Sequence, residues 1–141
     1  MIILDTDHVV VLKYRDSPQA KALSANMAAS LEPDFAISAV TIEEQMRGWL
    51  ALIHHSPEVH RQLPAYERLV ELFDFFSRWK IVPFHRASAD EFVRLRKQKI
   101  RIGTMDLNIA ATALVHDALL LSANLRDFEQ VPDLRLENWL L

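Results

Sequence analysis

Apolar residues occur in this chain as short solid runs, and between the runs they recur at helical spacing. Ile2-Ile3-Leu4, Phe35-Ala36-Ile37, Ile81-Val82 and Leu119-Leu120-Leu121 are the solid runs, each ended by polar or turn-forming residues. Such runs predict strands buried on both faces, as in a parallel sheet. Arg135-Leu136 predicts a short fifth strand. Between them the spacing predicts a short helix through Val9-Val10-Val11-Leu12, and a second that opens at Ser17-Pro18 and runs from Gln19 to Ser30. Further helices are predicted over Thr41 to His54, from Glu58 or Ala65 to Trp79, over Ser88 to Lys99, and from Met105 to about Asp117 with Thr104 as cap. In the helix ending at Trp79, residues Leu69, Leu72, Phe73, Phe76 and Trp79 share one broad face, which predicts a core stripe. Phe75 falls off that face and points to packing on a second subunit. Strands alternating with helices predict an α/β fold, a three-layer α/β/α sandwich around a mostly parallel sheet. No repeat, low-complexity tract or linker interrupts the pattern, so residues 1–141 read as a single domain.

Composition narrows the chemistry. Half of the residues are apolar and only 2 are Gly, which excludes a disordered chain. Cys is absent, which removes disulfides, thiolate zinc sites and Cys nucleophiles together and fits a reducing cytoplasm. The opening Met1-Ile2-Ile3-Leu4 is strand-like, with no basic, long apolar or cleavage-site region, so neither a signal peptide nor a membrane span is expected. The net charge of −3 does not mark a general nucleic-acid binder. Its distribution says more: Arg94, Arg96, Lys97, Lys99 and Arg101 form a basic stretch just before Asp106. That stretch reads either as a solvated helix face or as a contact surface for a phosphate backbone.

Four acidic or amide positions each follow a short apolar run. Asp5 closes the first, Glu44 follows the second, Asp106 follows Ile102-Gly103-Thr104-Met105, and Asn124 with Asp127 follows the run ending at Leu121. Parallel sheets place functional groups at the carboxyl ends of their strands. Carboxylates meeting there cannot all stay ionised without a cation, so the pattern predicts a hard divalent ion, Mg²⁺ or Mn²⁺, and phosphate-ester hydrolysis. Asp5 and Asp106 are the candidate ligands, with Glu44 completing the shell or taking a proton from water. Asn124 could orient a water, with Asp127 just behind it. Thr6 and Ser122 are small hydroxyls suited to support those ligands or to bond phosphate. Each acid also has a bland role: Asp5 or Asp7 as a helix cap, Glu44 as the last member of a Thr41-Ile42-Glu43-Glu44 capping box, Asp106 as a charge favoured in a first helical turn, Asp127 as a turn residue. His54, His55 and His60 match no zinc spacing and read as surface loop. His8 follows Asp7 and could face the pocket, while His85 and His116 look incidental. With Gly48 and Gly103 the only glycines, no phosphate-binding loop is present, nor any recognisable triad.

At these residues the chain resembles the PIN domain family, and within it the VapC-type toxin ribonucleases. The resemblance runs through nearly the whole sequence: Asp5-Thr6-Asp7 after the first strand; Ser38-Ala39-Val40-Thr41 followed by Glu44; Gly103, Asp106 and Ile109-Ala110-Ala111; and Ser122, Asn124 and Asp127-Phe128 ahead of Trp139. It favours Glu44 over Glu43. Asp7 stands where the family has an amide, which makes it an extra candidate ligand, and Ser122-Ala123 stands where it has Thr-Asn. The resemblance implies a PIN-like fold and a Mg²⁺- or Mn²⁺-dependent endoribonuclease with Asp5, Glu44, Asp106 and Asn124 or Asp127 at its centre. Lys97, Lys99 and Arg101 are the candidate RNA contacts. A homodimer and a small antitoxin that blocks the acidic pocket are the implied partners. The same opening also resembles haloacid-dehalogenase-like phosphatases, in which Asp5 would be a nucleophile, Asp7 an acid/base and Lys80 the partner of the phosphoryl group. A PIN scaffold that only binds RNA or a partner is the non-enzymatic alternative.

Overall fold

A computed structural model describes residues 1–13 and 16–141. Its strands are β1 (Ile2–Leu4), β2 (Phe35–Ser38), β3 (Lys80–Val82), β4 (Leu119–Leu121) and β5 (Arg135–Glu137), the fifth strand included. They form one sheet in the order β3-β2-β1-β4-β5, and every neighbouring pair is parallel. Parallel neighbours cannot be joined by tight hairpins, so each connection must carry a helical crossover. The helices are α1 (Thr6–Lys13), α2 (Pro18–Ala29), α3 (Ala39–His55), α4 (Val59–Phe76), α5 (Arg86–Lys97), α6 (Thr104–Val115) and α7 (Leu125–Phe128).

Alternation along the strands divides the core into two layers. Ile3, Ala36 and Leu120 face one way and pack with Leu95 of α5, the Leu107–Ala113 stretch of α6, and Phe128. Ile2, Leu4, Ile37, Leu119 and Leu121 face the other way, onto Val9, Leu23, Leu72 and Phe76 of α1, α2 and α4, with Ile42, Met46 and Trp49 of α3 alongside. This is the predicted three-layer α/β/α sandwich. The strands are short solid apolar runs because both of their faces are covered.

Several predicted helix ends shift. Helix α3 begins at Ala39, not Thr41: the Ser38 hydroxyl accepts the Val40 N–H at 3.1 Å, so the last residue of β2 caps the helix. The capping box expected at Thr41 therefore does not form, and the buried Thr41 Oγ1 has no hydrogen-bond partner among the described residues. Thr104 is the first residue of α6 and not its cap, a place held by Gly103. Helix α5 starts at Arg86 and stops at Lys97, because Lys99 adopts a left-handed φ of 63° that no helix continues through. Helix α4 takes the earlier of its two predicted starts, with the Glu58 carboxylate accepting the His60 and Arg61 N–H groups. Phe73, expected in the core stripe of that helix, is 64% exposed. Phe75 instead lies against the Phe76 and Trp79 rings at 5.4 and 6.0 Å.

The register sets up the site. Leu4 pairs with Ile37 on one side and Leu121 on the other, so Asp5, Ser38 and Ser122 come next to one another past the carboxyl ends of three adjacent strands. The chain builds outward from β1 to β3, then returns to build β4 and β5 on the other side. The crevice between β1 and β4 is where the order reverses, the place where open α/β sheets bind ligands.

Candidate active site

Asp5 sits in that crevice and is 6% exposed. Its backbone N–H donates to Leu121 O at 2.9 Å and its carbonyl accepts the Val9 N–H, so the residue joins the strand to the first turn of α1. Its carboxylate accepts from the Thr6 N–H at 2.8 Å and from the Ser122 hydroxyl at 2.7 Å. Burial, reinforced by the charges of Asp7 and then Asp106, pushes the Asp5 carboxyl up to about 7, which the two hydrogen bonds only partly oppose.

Asp7 is held from every side. His8 Nδ1 lies 2.6 Å from one of its oxygens, and the other accepts the Ala123 N–H at 2.9 Å and lies 3.3 Å from the Ser122 hydroxyl. Burial acts to raise the Asp7 carboxyl, but the His8 and Ala123 hydrogen bonds outweigh it and the group ends below the ordinary carboxylate range. Asp106 lies in the first turn of α6 as predicted. Burial, then the charges of Glu44, Asp127 and Asp7, raise its carboxyl, while Asn124 pulls it down.

Asn124 stands at the start of α7, and its amide donates to Asp106 at 3.3 Å and to Asp127 at 3.1 Å. The structure therefore brings both residues to the site in a linked arrangement. Glu44 accepts the Thr6 hydroxyl, which turns it from α3 toward the start of α1. Its neighbour Glu43 points to solvent and pairs with Arg47. The candidates Asp5, Thr6, Asp7, Glu44, Asp106, Ser122, Asn124 and Asp127 thus form one connected acidic cluster, though they span most of the sequence.

The donor set suits a hard cation. All donors are oxygens, and no ion pair among the described residues gives Asp5, Glu44, Asp106 or Asp127 a Lys or Arg partner. Among the described residues no group of three such side chains already closes around a single point. Mg²⁺ commonly keeps several waters beside its carboxylate ligands.

The basic stretch splits into two parts. Arg94 pairs with Glu91, and Arg96 is spent on the chain itself. Its guanidinium donates to the Ile100 and Ile102 carbonyls, both at 3.0 Å, and stacks 5.3 Å from the Phe92 ring centre. It thereby shapes the loop that leads into α6 and Asp106. Lys97 at the end of α5, and Lys99 and Arg101 on that loop, are exposed. Lys80, the partner that the phosphatase reading needs, starts β3 and bonds Asp34 at 3.1 Å, at the opposite end of the sheet from Asp5. That reading fails on geometry.

One residue lies elsewhere than its sequence reading placed it. His8 does not face the pocket but is completely buried, between Asp7 and the Trp139 backbone. The available signal was a histidine between an acid and the apolar run Val9-Val10-Val11.

The chain is thus an all-parallel α/β/α sandwich with an acidic cluster at its switch point. The family model of the PIN domain matches residues 2–134. A ribonuclease VapC2 of Haemophilus influenzae is 32% identical over 142 residues, covering 97% of this chain and 96% of that protein. The structure of VapBC-1 from nontypeable Haemophilus influenzae superposes with a TM-score of 0.67 at 25% identity, covering 99% of this chain and 98% of that one. A toxin–antitoxin complex from Klebsiella pneumoniae gives 0.60 at 25% identity, covering 95% of each chain. The chain belongs to the PIN domain family, in its VapC branch.

Proposed function

We propose that this chain is a Mg²⁺- or Mn²⁺-dependent endoribonuclease and the toxin of a toxin–antitoxin pair. The observation that carries the reading is the buried Asp5, pushed to about 7 within a cluster of carboxylates that no Lys or Arg among the described residues neutralises. Asp5, Asp106 and Glu44 would hold the ion. It would supply a water of lowered pKa and charge compensation on the phosphate. The chain's own groups do the rest. Thr6 aims Glu44, which can accept a proton from the attacking water. The Asn124 amide fixes Asp106 and Asp127 relative to each other, and Ser122 fixes Asp5. Lys97, Lys99 and Arg101 offer charge to an RNA backbone beside the cluster.

The decisive test is cleavage of a structured RNA by the wild type, Asp5→Asn, Asp106→Asn and Glu44→Gln, with Mg²⁺, Mn²⁺ or EDTA. Discrete cuts that need metal are expected, with Asp5→Asn and Asp106→Asn inactive and Glu44→Gln slowed by at least about 100-fold. Because Ser38 and not Thr41 caps α3, Glu44→Gln should leave the melting temperature unchanged. Cleavage in EDTA, or at the wild-type rate by either Asp variant, would overturn the assignment.

The partners follow the same reading. An antitoxin is supported by relatives whose structures are toxin–antitoxin complexes along their full length. A homodimer is supported by the outer face of α4. There Val59, Leu63, Tyr66, Val70 and Phe73 recur every three or four residues and are 50–69% exposed, the seam along which a second copy could pack. Light scattering on the isolated chain should give twice the 16.3 kDa of one copy. A monomer mass would remove the dimer from the proposal. Among the described residues no helix is long and apolar enough to cross a membrane.

A further inference from the structure

His8 is enclosed completely, yet both of its ring nitrogens are committed. The Trp139 backbone N–H donates to Nε2 at 3.2 Å, which requires a lone pair there. The ring proton therefore sits on Nδ1, where it donates to Asp7 at 2.6 Å. The other Asp7 oxygen is fixed by the Ala123 N–H at 2.9 Å, in the turn that follows β4. Ser122, in the same turn, gives its hydroxyl to Asp5 at 2.7 Å and accepts the Asn124 N–H at 3.0 Å. A continuous chain of hydrogen bonds thus leads from the C-terminal segment through His8 and Asp7 to the turn that holds Asp5 and Asn124. The order of donors along it is set at its first link, because a backbone N–H can only donate.

We propose that His8 is a positioning residue: its Nδ1–H locks the Asp7 carboxylate against the Ser122–Ala123 turn and so holds Asp5 in the orientation that binds the divalent ion. The inference rests on the metal reading given above. A histidine suits the task because one ring can accept from the C-terminal backbone and donate to Asp7 at once, with no freedom to exchange the two roles. An aliphatic residue at position 8 would fill the same space and leave one Asp7 oxygen without its donor. The group supporting a ligand is commonly worth about 10–100-fold in metal affinity.

Two amides separate this role from simple packing. The Asn side-chain nitrogen falls near the place of Nδ1, so His8→Asn keeps a donor to Asp7 and gives up the bond from Trp139. Gln reaches the place of Nε2, so His8→Gln keeps an acceptor for Trp139 and gives up the donor to Asp7. Mn²⁺ affinity is read without RNA, from the electron paramagnetic resonance of unbound Mn²⁺, beside a melting curve for each variant. The expected result is a loss of about 10–100-fold in His8→Gln and His8→Phe, with His8→Asn within about threefold of wild type. Asp7→Ala, which leaves the Trp139 bond in place and removes both acceptor oxygens facing His8 and the Ser122–Ala123 turn, should reproduce the loss, and adding His8→Gln to it should deepen it little. That second variant carries the test if His8→Gln does not fold. Wild-type Mn²⁺ affinity in His8→Gln, or rescue by Gln and not by Asn, overturns the positioning role and returns His8 to packing. A wild type that takes up no Mn²⁺ overturns the metal reading itself, and the role of His8 falls with it.

Discussion

Asp5 makes the fold pay, in the absence of metal, for keeping a carboxyl buried beside other carboxyls. Moving that group from 3.8 to about 7 makes its complete ionisation in the folded protein cost about 4 kcal/mol. The folded state holds the proton more tightly than the unfolded state does. The stability linked to Asp5 is therefore fully present below about pH 4 and is lost as pH rises through about 7. Asp106, also raised, acts in the same direction. Asp7, held low, acts oppositely, and its contribution is lost only as pH falls below the ordinary carboxylate range. Thermal melts in EDTA between pH 5 and 8 isolate the first effect. The wild type should lose melting temperature steeply across that window, while Asp5→Asn, which keeps only the Asp106 part, should fall less and end more stable at pH 8. Parallel curves for the two proteins would show that Asp5 is not the group responsible.

At the scale of elements, the sequence was clearest where burial is complete. β1, β2 and β4 are solid apolar runs because they have no solvent face, and a run buried on both sides reads as one signal. Helix ends were less legible, because they depend on which nearby hydroxyl caps. Ser38 and Thr41 both precede helical residues, and the sequence does not say that β2 passes into α3 without a loop; Ser38, ending the strand, takes the cap. Lys99 keeps α5 from continuing by adopting a left-handed conformation, which composition does not reveal. The acidic candidates were legible because each follows its strand or opens its helix, and a shared register then brings them together. The direction of each side chain was not. Glu44 and Glu43 are neighbours on one helix; the motif spacing favours Glu44, and the turn of α3 toward Thr6 gives the physical reason. His8 was hidden for a further reason: its backbone partner Trp139 lies 131 positions away, and no local pattern links them.

For the whole molecule, a net charge of −3 hides two opposed regions, an acidic cluster at the β1–β4 crevice and a basic edge on the loop before α6. Attraction of RNA by the second would bring its backbone next to the first, so the arrangement matters more than the sum. Only part of the basic stretch is available for this. Arg94 is paired with Glu91, and Arg96 braces the loop, so replacing Arg96 would disturb the approach to Asp106 as well as remove a charge. Lys97, Lys99 and Arg101 make no ion pair among the described residues. They can be changed to Gln together with little expected effect on the fold. Each phosphate contact on a single strand contributes about 0.7 to the slope of log affinity against log salt. If all three residues touch the backbone, the triple variant should bind RNA more weakly at low salt and its slope should flatten by about 2. The measurement is RNA affinity over a salt series, in EDTA so that binding is read without cleavage. An unchanged slope would return these residues to a solvated helix end, and the RNA would then have to be held by the acidic cluster's metal and by surfaces elsewhere on the chain.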